Sequence, residues 1–223
     1  MTQPIVIGVD EAGRGALAGP LVVCATAFHC DTPIVTTTYH GLRGDRTIAA
    51  GDSKSFTNTL YREVLDTAIR KIAVAISIIE YSAQEIDTRL MHVVFPEALR
   101  LAIARITENL VQRGFGGGVD GYVVKLDGEM PPLSNIPCTV HAIPDGDKKI
   151  WQIGAASIVA KVYRDRRMDE LHQLYPAWGF DTHRGYPTTE HKKLLKVLDT
   201  TTVHRRTFRP VAEAHGMPPG FEI

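Results

Sequence analysis

Apolar residues run almost unbroken from Pro4 to Val9 and again from Pro20 to Phe28, with Gly13, Gly15 and Gly19 between them. Two such runs predict strands joined by a glycine-rich turn. Cys30 to Asp52 is polar and irregular, which predicts a surface excursion. From Thr59 to Ile72, Leu60, Val64, Leu65, Ala68, Ile69 and Ile72 recur near helical spacing; Ala73 to Ile79 is weakly alternating and β-branched, a strand. Ser82 to Arg113 predicts one or two helices with Val93, Val94, Ala98, Leu101, Ala102 and Ile106 as the apolar stripe. A turn cluster at Gly114 to Gly121 precedes a strand from Tyr122 to Leu126 that ends at Asp127-Gly128. After the Pro131 to Pro144 segment, Ile150 to Tyr175 predicts a long helix with Ala156, Val159, Ala160 and Tyr163 on one side. A helix from Thr188 to Leu198 and a tail closing with Pro218-Pro219-Gly220 follow. Strands alternating with helices give an α/β fold around a central mixed sheet. A single domain is expected over residues 1–223, sheet-rich to about residue 150 and mainly helical from about 151.

At 223 residues, 44% hydrophobic and 22% charged, the chain has the composition of an ordinary globular protein and needs no disulfide to fold. Cys24, Cys30 and Cys138 form no C-x-x-C pair, which suits free thiols in a reducing cytoplasm. The uncharged run from Ala16 to His29 is short and broken by Gly19-Pro20, so no membrane span is expected. Asp10 and Glu11 stand where a signal peptide would need an apolar body. Net charge is zero, but unevenly spread: Asp145 to Arg209 holds 13 Lys/Arg against 8 Asp/Glu, and the remainder 12 against 17. An acidic site beside a phosphate-binding surface produces such asymmetry, and so does uneven surface charge without function.

The chemistry is carried by carboxylates. Asp10-Glu11 closes the first predicted strand, Asp127 closes a later one, and Asp147 follows in Pro144-Asp145-Gly146-Asp147. Acids at strand ends lie along one rim of a sheet, where loops expose them. Four converging carboxylates repel one another unless cations are present, and hard Mg²⁺ or Mn²⁺ matches all-oxygen donors. Taken singly, each acid also fits a cap or turn former, Asp145 above all. Gly13-Arg14-Gly15 adds a backbone that a ligand can approach closely and one guanidinium; no G-x-x-x-x-G-K-[ST] is present, so this is not a nucleotide P-loop. Lys54, Lys161 and Arg164 are phosphate candidates, the last two three apart on one helix face; a solvated helix edge or an ion pair with Asp165 is the alternative. His183 and His204 fit phosphate contacts or packed, capping histidines.

Gly8-Val9-Asp10-Glu11-Ala12-Gly13-Arg14-Gly15, continuing to Pro20, closely resembles the N-terminal signature of ribonuclease HII, the type 2 ribonuclease H. Asp52-Ser53-Lys54, Leu126-Asp127-Gly128 and Gly146-Asp147 resemble further elements of that family in order. So do Gly154 to Lys161 with Arg164-Asp165, His183-Arg184-Gly185-Tyr186 and His204-Arg205. The departures are small: Arg184 stands where the family usually has Lys, Ala16 replaces a common Pro or Cys, and Thr37 to Ala50 is longer than expected.

The resemblance implies a ribonuclease H-like fold with a helical C-terminal extension, and a catalytic, metal-holding quartet of Asp10, Glu11, Asp127 and Asp147. It implies two divalent ions, Mg²⁺ or Mn²⁺, during catalysis, with RNA–DNA hybrids and ribonucleotide-containing duplex DNA as substrates. Contacts to that substrate fall on Gly13, Arg14, Gly15, Lys54, Ser157, Lys161, Arg164 and Tyr186, with Tyr186 reading the ribonucleotide junction. The expected enzyme is a cytoplasmic monomer that cuts 5′ of single ribonucleotides in duplex DNA, leaving 5′-phosphate and 3′-hydroxyl ends, in replication and repair. Two alternatives stand beside it. A ribonuclease HIII-like enzyme begins with a similar acid pair but carries an extra N-terminal domain, and only nine residues precede Asp10. A silent hybrid-binding module would lack one or more of the acids. No Q-x-x-[ILM]-x-x-aromatic-aromatic box appears near Ala212 to Ile223, so docking on a sliding clamp through that motif is not expected.

Overall fold

The computed structural model describes residues 4–41, 44–51, 59–115, 121–129, 131, 133, 136 and 138–216. Its strands are β1 (Ile5–Ala12), β2 (Leu21–His29), β3 (Thr36–Gly41), β4 (Gly44–Ala49), β5 (Ala75–Tyr81), β6 (Tyr122–Asp127) and β7 (Thr139–Ile143). Its helices are α1 (Thr59–Ile72), α2 (Ala83–Arg89), α3 (Met91–Gln112), α4 (Gly146–Lys149), α5 (Trp151–Leu174), α6 (Phe180–His183), α7 (Thr189–Leu194) and α8 (Arg209–Ala214). Five strands form one sheet in the order β5-β2-β1-β6-β7, and β3 pairs with β4 apart from it. Among the described residues no helix is long and apolar enough to cross a membrane. The chain divides into two compact units. One comprises residues up to Glu11 with Val23–Ile79 and Pro96–Val162; the other comprises Ala12–Val22, Glu80–Phe95 and the chain from Tyr163 onward.

In the first unit β1 runs parallel to β6, Ile5 opposite Tyr122 through Val9 opposite Leu126, and β6 runs parallel to β7. Ile5, Ile7 and Val9 are buried, and α3 lays Ala98, Leu99, Ala102, Ile103, Ile106 and Leu110 into the same core. The first turn of α5 descends onto β1 at Gly8, where a Cβ would stand 2.1 Å from the Gln152 carbonyl oxygen. That carbonyl accepts the Thr26 hydroxyl at 3.1 Å, and Trp151 packs on Phe28 with ring centroids 4.6 Å apart. Glycine at position 8 is therefore a packing requirement.

Several expectations are corrected. The polar Cys30 to Asp52 stretch contains the antiparallel β3–β4 hairpin, in which Thr36 faces Ala49 and Thr38 faces Thr47. β-Branched threonines suit strands without supplying apolar alternation, and Tyr39 rests edge-on against Tyr61 of α1 at 4.7 Å. The segment before Pro144 holds β7, an edge strand with Thr139 and His141 exposed. Ser82 to Arg113, expected as one or two helices, is two: Ser82 and Glu85 form a reciprocal capping box on α2, and Leu90, at φ 66°, ends it. Val93 falls in the first turn of α3 and is 43% exposed, outside the stripe. The helix expected to reach Leu198 is α7, ending at Leu194, with the Thr188 hydroxyl accepting the His191 amide. Residues 218–220 of the tail lie outside the described residues.

The second unit has its own apolar cluster, in which Leu17, Ala18, Met168, Trp178, Phe180, Leu195 and Val211 are buried. Three histidines line it. His204 sits 4.2 Å from Trp178, ring to ring, and His183 stacks on His191 at 4.2 Å. Burial comes first in pushing all three pKa values down, His191 to about 4 and His204 to about 3, and their mutual repulsion adds to the effect on those two. A folded-state pKa below the unfolded one means that the unfolded chain binds protons first as pH falls. This stabilisation is complete above about pH 6.5 and is lost on the way down toward pH 3–4, at up to about 1.4 kcal/mol per pH unit for each histidine. Amide exchange over residues 178–204 is expected to accelerate between pH 7.5 and pH 5 after correction for intrinsic rates. Protection unchanged across that window would mean the imidazoles are not buried neutral.

Candidate active site

The register of β1 against β6 places the first two acids. Val9 is paired with Leu126, so the next residues, Asp10 in the last three of β1 and Asp127 at the end of β6, come at neighbouring positions toward the same, C-terminal end of the two parallel strands. That end is where open parallel sheets expose functional groups. Asp10 is 6% exposed; one of its oxygens accepts the Glu11 amide at 2.7 Å, and the Ser157 hydroxyl of α5 hydrogen-bonds it. Asp127 Oδ1 accepts the amides of Gly146 at 2.6 Å and Asp147 at 3.3 Å. This ties the start of α4, and with it Asp147, to the end of β6. A Cβ on Gly146 would stand 2.6 Å from Ile153 Cδ1 and 3.2 Å from Asp127 Oδ1, so a larger residue there would have to shift both side chains.

The electrostatics of the acids follow from this crowding. Burial, then the charge of Glu11, raises the Asp10 pKa well above the carboxylate range; Asp127 adds to it and the Ser157 bond opposes it. Burial and then the charge of Asp127 raise Asp147, partly offset by Lys148. Carboxylates that push one another toward protonation are a site for positive charge. All donors are oxygen, matching a hard divalent cation. Among the described residues no three His, Cys, Asp or Glu side chains stand close enough together to hold a metal ion as they are placed. Asp145, exposed and left-handed at φ 54°, pairs with Lys148 at 2.8 Å and is a turn residue.

In the second unit the Gly13–Pro20 loop is held from behind by two buried guanidiniums. Arg164, 1% exposed, donates to the carbonyls of Pro20 (2.9 Å), Arg184 (2.9 Å) and Ala18 (3.1 Å) and lies 5.1 Å over the Tyr186 ring. The expectation that Arg164 contacts phosphate is thereby corrected: the side chain is buried, and three of its N–H donors go to backbone carbonyls. Arg205, fully buried, donates to the carbonyls of Gly19 and Arg14. The His204-Arg205 pair was visible in the sequence, but nothing in it told a loop-holding arginine from a phosphate contact. Gly13, at φ 83°, gives its amide to the Tyr186 hydroxyl at 3.1 Å, and a Cβ there would stand 2.0 Å from Arg164 Nε. Arg14 is exposed and its guanidinium lies 4.7 Å over the Phe95 ring; Gly15 is exposed.

Of the remaining predicted contacts, Ser157 faces Asp10, Lys161 is half-buried four residues further along α5, and Lys54 lies outside the described residues. His183 and His204 prove to be packed histidines. Arg184, at the lysine position of the resemblance, pairs with Asp169 and lies 3.9 Å from Asp165.

Comparison with known proteins places this geometry. The ribonuclease HII family model matches residues 7–211. The ribonuclease HII of Cupriavidus pinatubonensis is 40% identical over 208 residues, covering 93% of this chain and 84% of its own. The crystal structure of ribonuclease H2 from Pyrococcus horikoshii superposes with a TM-score of 0.72 at 26% identity, over 95% of this chain and 97% of that one. Bst-RNase HIII, solved in complex with Mn²⁺, shares the fold at 15% identity and a TM-score of 0.63, over 96% of this chain and 70% of that one. With a family match from the first strand to the last helix, the chain belongs to the ribonuclease HII family and is an endoribonuclease, a ribonuclease H.

Proposed function

We propose that the chain hydrolyses the RNA strand of RNA–DNA hybrids and cuts 5′ of single ribonucleotides in duplex DNA, leaving 5′-phosphate and 3′-hydroxyl ends. The observation that carries this reading is the Val9–Leu126 register, which sets Asp10 and Asp127 side by side at the strand ends. Asp10, Glu11 and Asp127 hold a divalent cation, Mg²⁺ or Mn²⁺, and Asp147 completes a second position. Bound there, such ions supply the activation of a water and the stabilisation of the leaving 3′-oxygen. The Mn²⁺ complex of Bst-RNase HIII lends support through the shared fold. Ser157 holds Asp10 in place, and the Gly146 and Asp147 amides hold Asp127. No side-chain nucleophile is required, so the cysteines and histidines stay outside the chemistry. Its setting is the cytoplasm, as a monomer that removes ribonucleotides during DNA replication and repair.

Reading the ribose requires donors and acceptors for a 2′-hydroxyl. Tyr186 supplies a phenol whose oxygen already accepts the Gly13 amide, leaving its own hydrogen to donate. Gly15 and Arg14 present exposed backbone and a guanidinium beside it in the chain. Lys161 and Lys54 contribute charge toward phosphates.

Replacing Asp127 by Asn keeps its shape and removes one charge from the metal position. Cleavage is expected to fall at least ~10²-fold, the scale for losing an electrostatic transition-state contact, while hybrid binding survives. A single-ribonucleotide duplex assayed with and without Mg²⁺ decides it, and near-native cleavage by this variant removes Asp127 from the site.

If Lys161 contacts a phosphate, Lys161→Ala makes the salt dependence of hybrid binding shallower by up to about one unit on a log–log plot. An unchanged slope places Lys161 away from the nucleic acid.

Tyr186→Phe removes one hydrogen bond, roughly 0.5–1.5 kcal/mol, and keeps the ring; Tyr186→Ala removes the packing too and costs more. The comparison is kcat/KM on a single-ribonucleotide duplex and on an all-ribose hybrid strand. Equal losses on both substrates, or none on either, would show that Tyr186 does not read the junction.

A further inference from the structure

His183, His191 and His204 have no part in the chemistry above, yet their hydrogen bonds fix the proton on every ring. The Thr201 amide donates to His204 Nδ1 at 3.1 Å, so the His204 proton sits on Nε2, 3.2 Å from His191 Nε2. His191 Nδ1 faces the Tyr186 carbonyl at 3.0 Å. A carbonyl only accepts, so His191 carries its proton on Nδ1 and receives the His204 proton on Nε2. These bonds run in one direction, from the Thr201 amide to the Tyr186 carbonyl. His183, its plane 13° from that of His191, accepts the Gly185 amide on Nδ1 at 3.1 Å and gives Nε2–H to the Trp178 carbonyl at 2.6 Å. The Gly185 amide and the Tyr186 carbonyl, either side of one α-carbon pair, are thus each held by an imidazole. Tyr186 in turn holds the Gly13 amide with its phenol.

We propose that His191, backed by His204 and His183, is a positioning residue for Tyr186. The relay fixes the Gly185–Tyr186 backbone, and through it sets the phenol against the Gly13 amide before any substrate arrives. This rests on the reading of Tyr186 as the ribose contact. Asp181 and Glu190 face His183, His183 faces His191, and His191, His183 and His215 face His204. Trp178 and Phe180 wall the rings. A proton added to His191 Nε2 would oppose the His204 Nε2 proton and break the relay, so it operates only while the rings are neutral, which their burial ensures near pH 7.

The test uses the full chain. Two-bond ¹H–¹⁵N spectra of the wild-type imidazoles are expected to show the proton of His191 on Nδ1 and those of His183 and His204 on Nε2; the opposite tautomer at His191 overturns the relay. His191→Asn puts a donor where Nδ1 stood, whereas His191→Gln reaches the Nε2 position and leaves the Tyr186 carbonyl without its ring donor. Exchange of the Gly13 amide is expected to quicken several-fold in the Gln variant, as in Tyr186→Phe, and to stay near wild type in the Asn variant. The Gln variant is also expected to lose about tenfold in kcat/KM on a single-ribonucleotide duplex, the upper range for one hydrogen bond, and to add nothing to Tyr186→Phe. Unchanged Gly13 exchange in the Gln variant, or a loss that multiplies fully with Tyr186→Phe, overturns the proposal. Should Tyr186→Phe alone leave cleavage untouched, the ribose reading of Tyr186 falls, and the Gly13 amide and the ring tautomers still decide the relay.

Discussion

Two carboxylates pressed together by strand register are the constraint around which the first unit is arranged. β1 and β6 are parallel with Val9 opposite Leu126, so Asp10 and Asp127 cannot be separated without breaking the ladder that carries the core residues Ile5, Ile7 and Val9. Burying like charges is costly, and the local structure offsets that cost with hydrogen bonds. Asp10 takes the Glu11 amide and the Ser157 hydroxyl; Asp127 takes the amides of Gly146 and Asp147. Gly8 is small because the backbone of α5 passes directly over it on the way to delivering Ser157. Burial first, and then the charges of Glu11 and Asp127, still raise the Asp10 pKa; positive charge near these acids would offset the repulsion among them.

The second unit meets the opposite problem with the same logic. Arg164 and Arg205 are buried positive charges, and each is satisfied by backbone carbonyls rather than by carboxylates. Carbonyl dipoles compensate a buried guanidinium only if several converge on it, and convergence requires the chain from Arg14 to Pro20 to wrap around the two side chains. A stretch with two glycines, Gly15 and Gly19, is thereby given one shape. The arginines contribute geometry at a distance from solvent, which is why the reading of Arg164 as a phosphate contact did not survive.

Much of this was legible in the chain. The boundaries of α1 and α5 followed from apolar spacing, and the acids could be placed at strand ends because Asp10 and Asp127 each terminate an apolar run. What stayed hidden has physical reasons. β3 opens with three threonines, whose branching favours a strand without apolar alternation, and β7 is an exposed edge. The break at Leu90 is a single left-handed residue inside a helical pattern. For arginine and histidine the sequence gives the chemistry of a side chain but not its surroundings. Arg164 and Lys161, three apart on α5, read alike as cations, yet one is buried against carbonyls and the other half-buried.

The two glycines flanking Arg14 show how to separate what the fold demands from what it leaves open. Gly13 is compelled twice: its φ of 83° is left-handed, and a Cβ would collide with Arg164 Nε. Gly15 is compelled by neither. Its φ is ordinary, and among the described residues no heavy atom lies within 4 Å of where its Cβ would stand. A glycine gives up roughly 0.5–1 kcal/mol against alanine in a regular segment through the entropy of its unfolded chain, and nothing inside the unit repays that at position 15. The open space is on the outside of a loop whose inner carbonyls are already tied to Arg205 and Arg164. A backbone with no side chain there can be approached by a ligand to hydrogen-bonding distance, which is what recognition of a ribose through its 2′-hydroxyl requires. Gly13 thus belongs to the construction of the loop, and Gly15 to the surface that the loop presents.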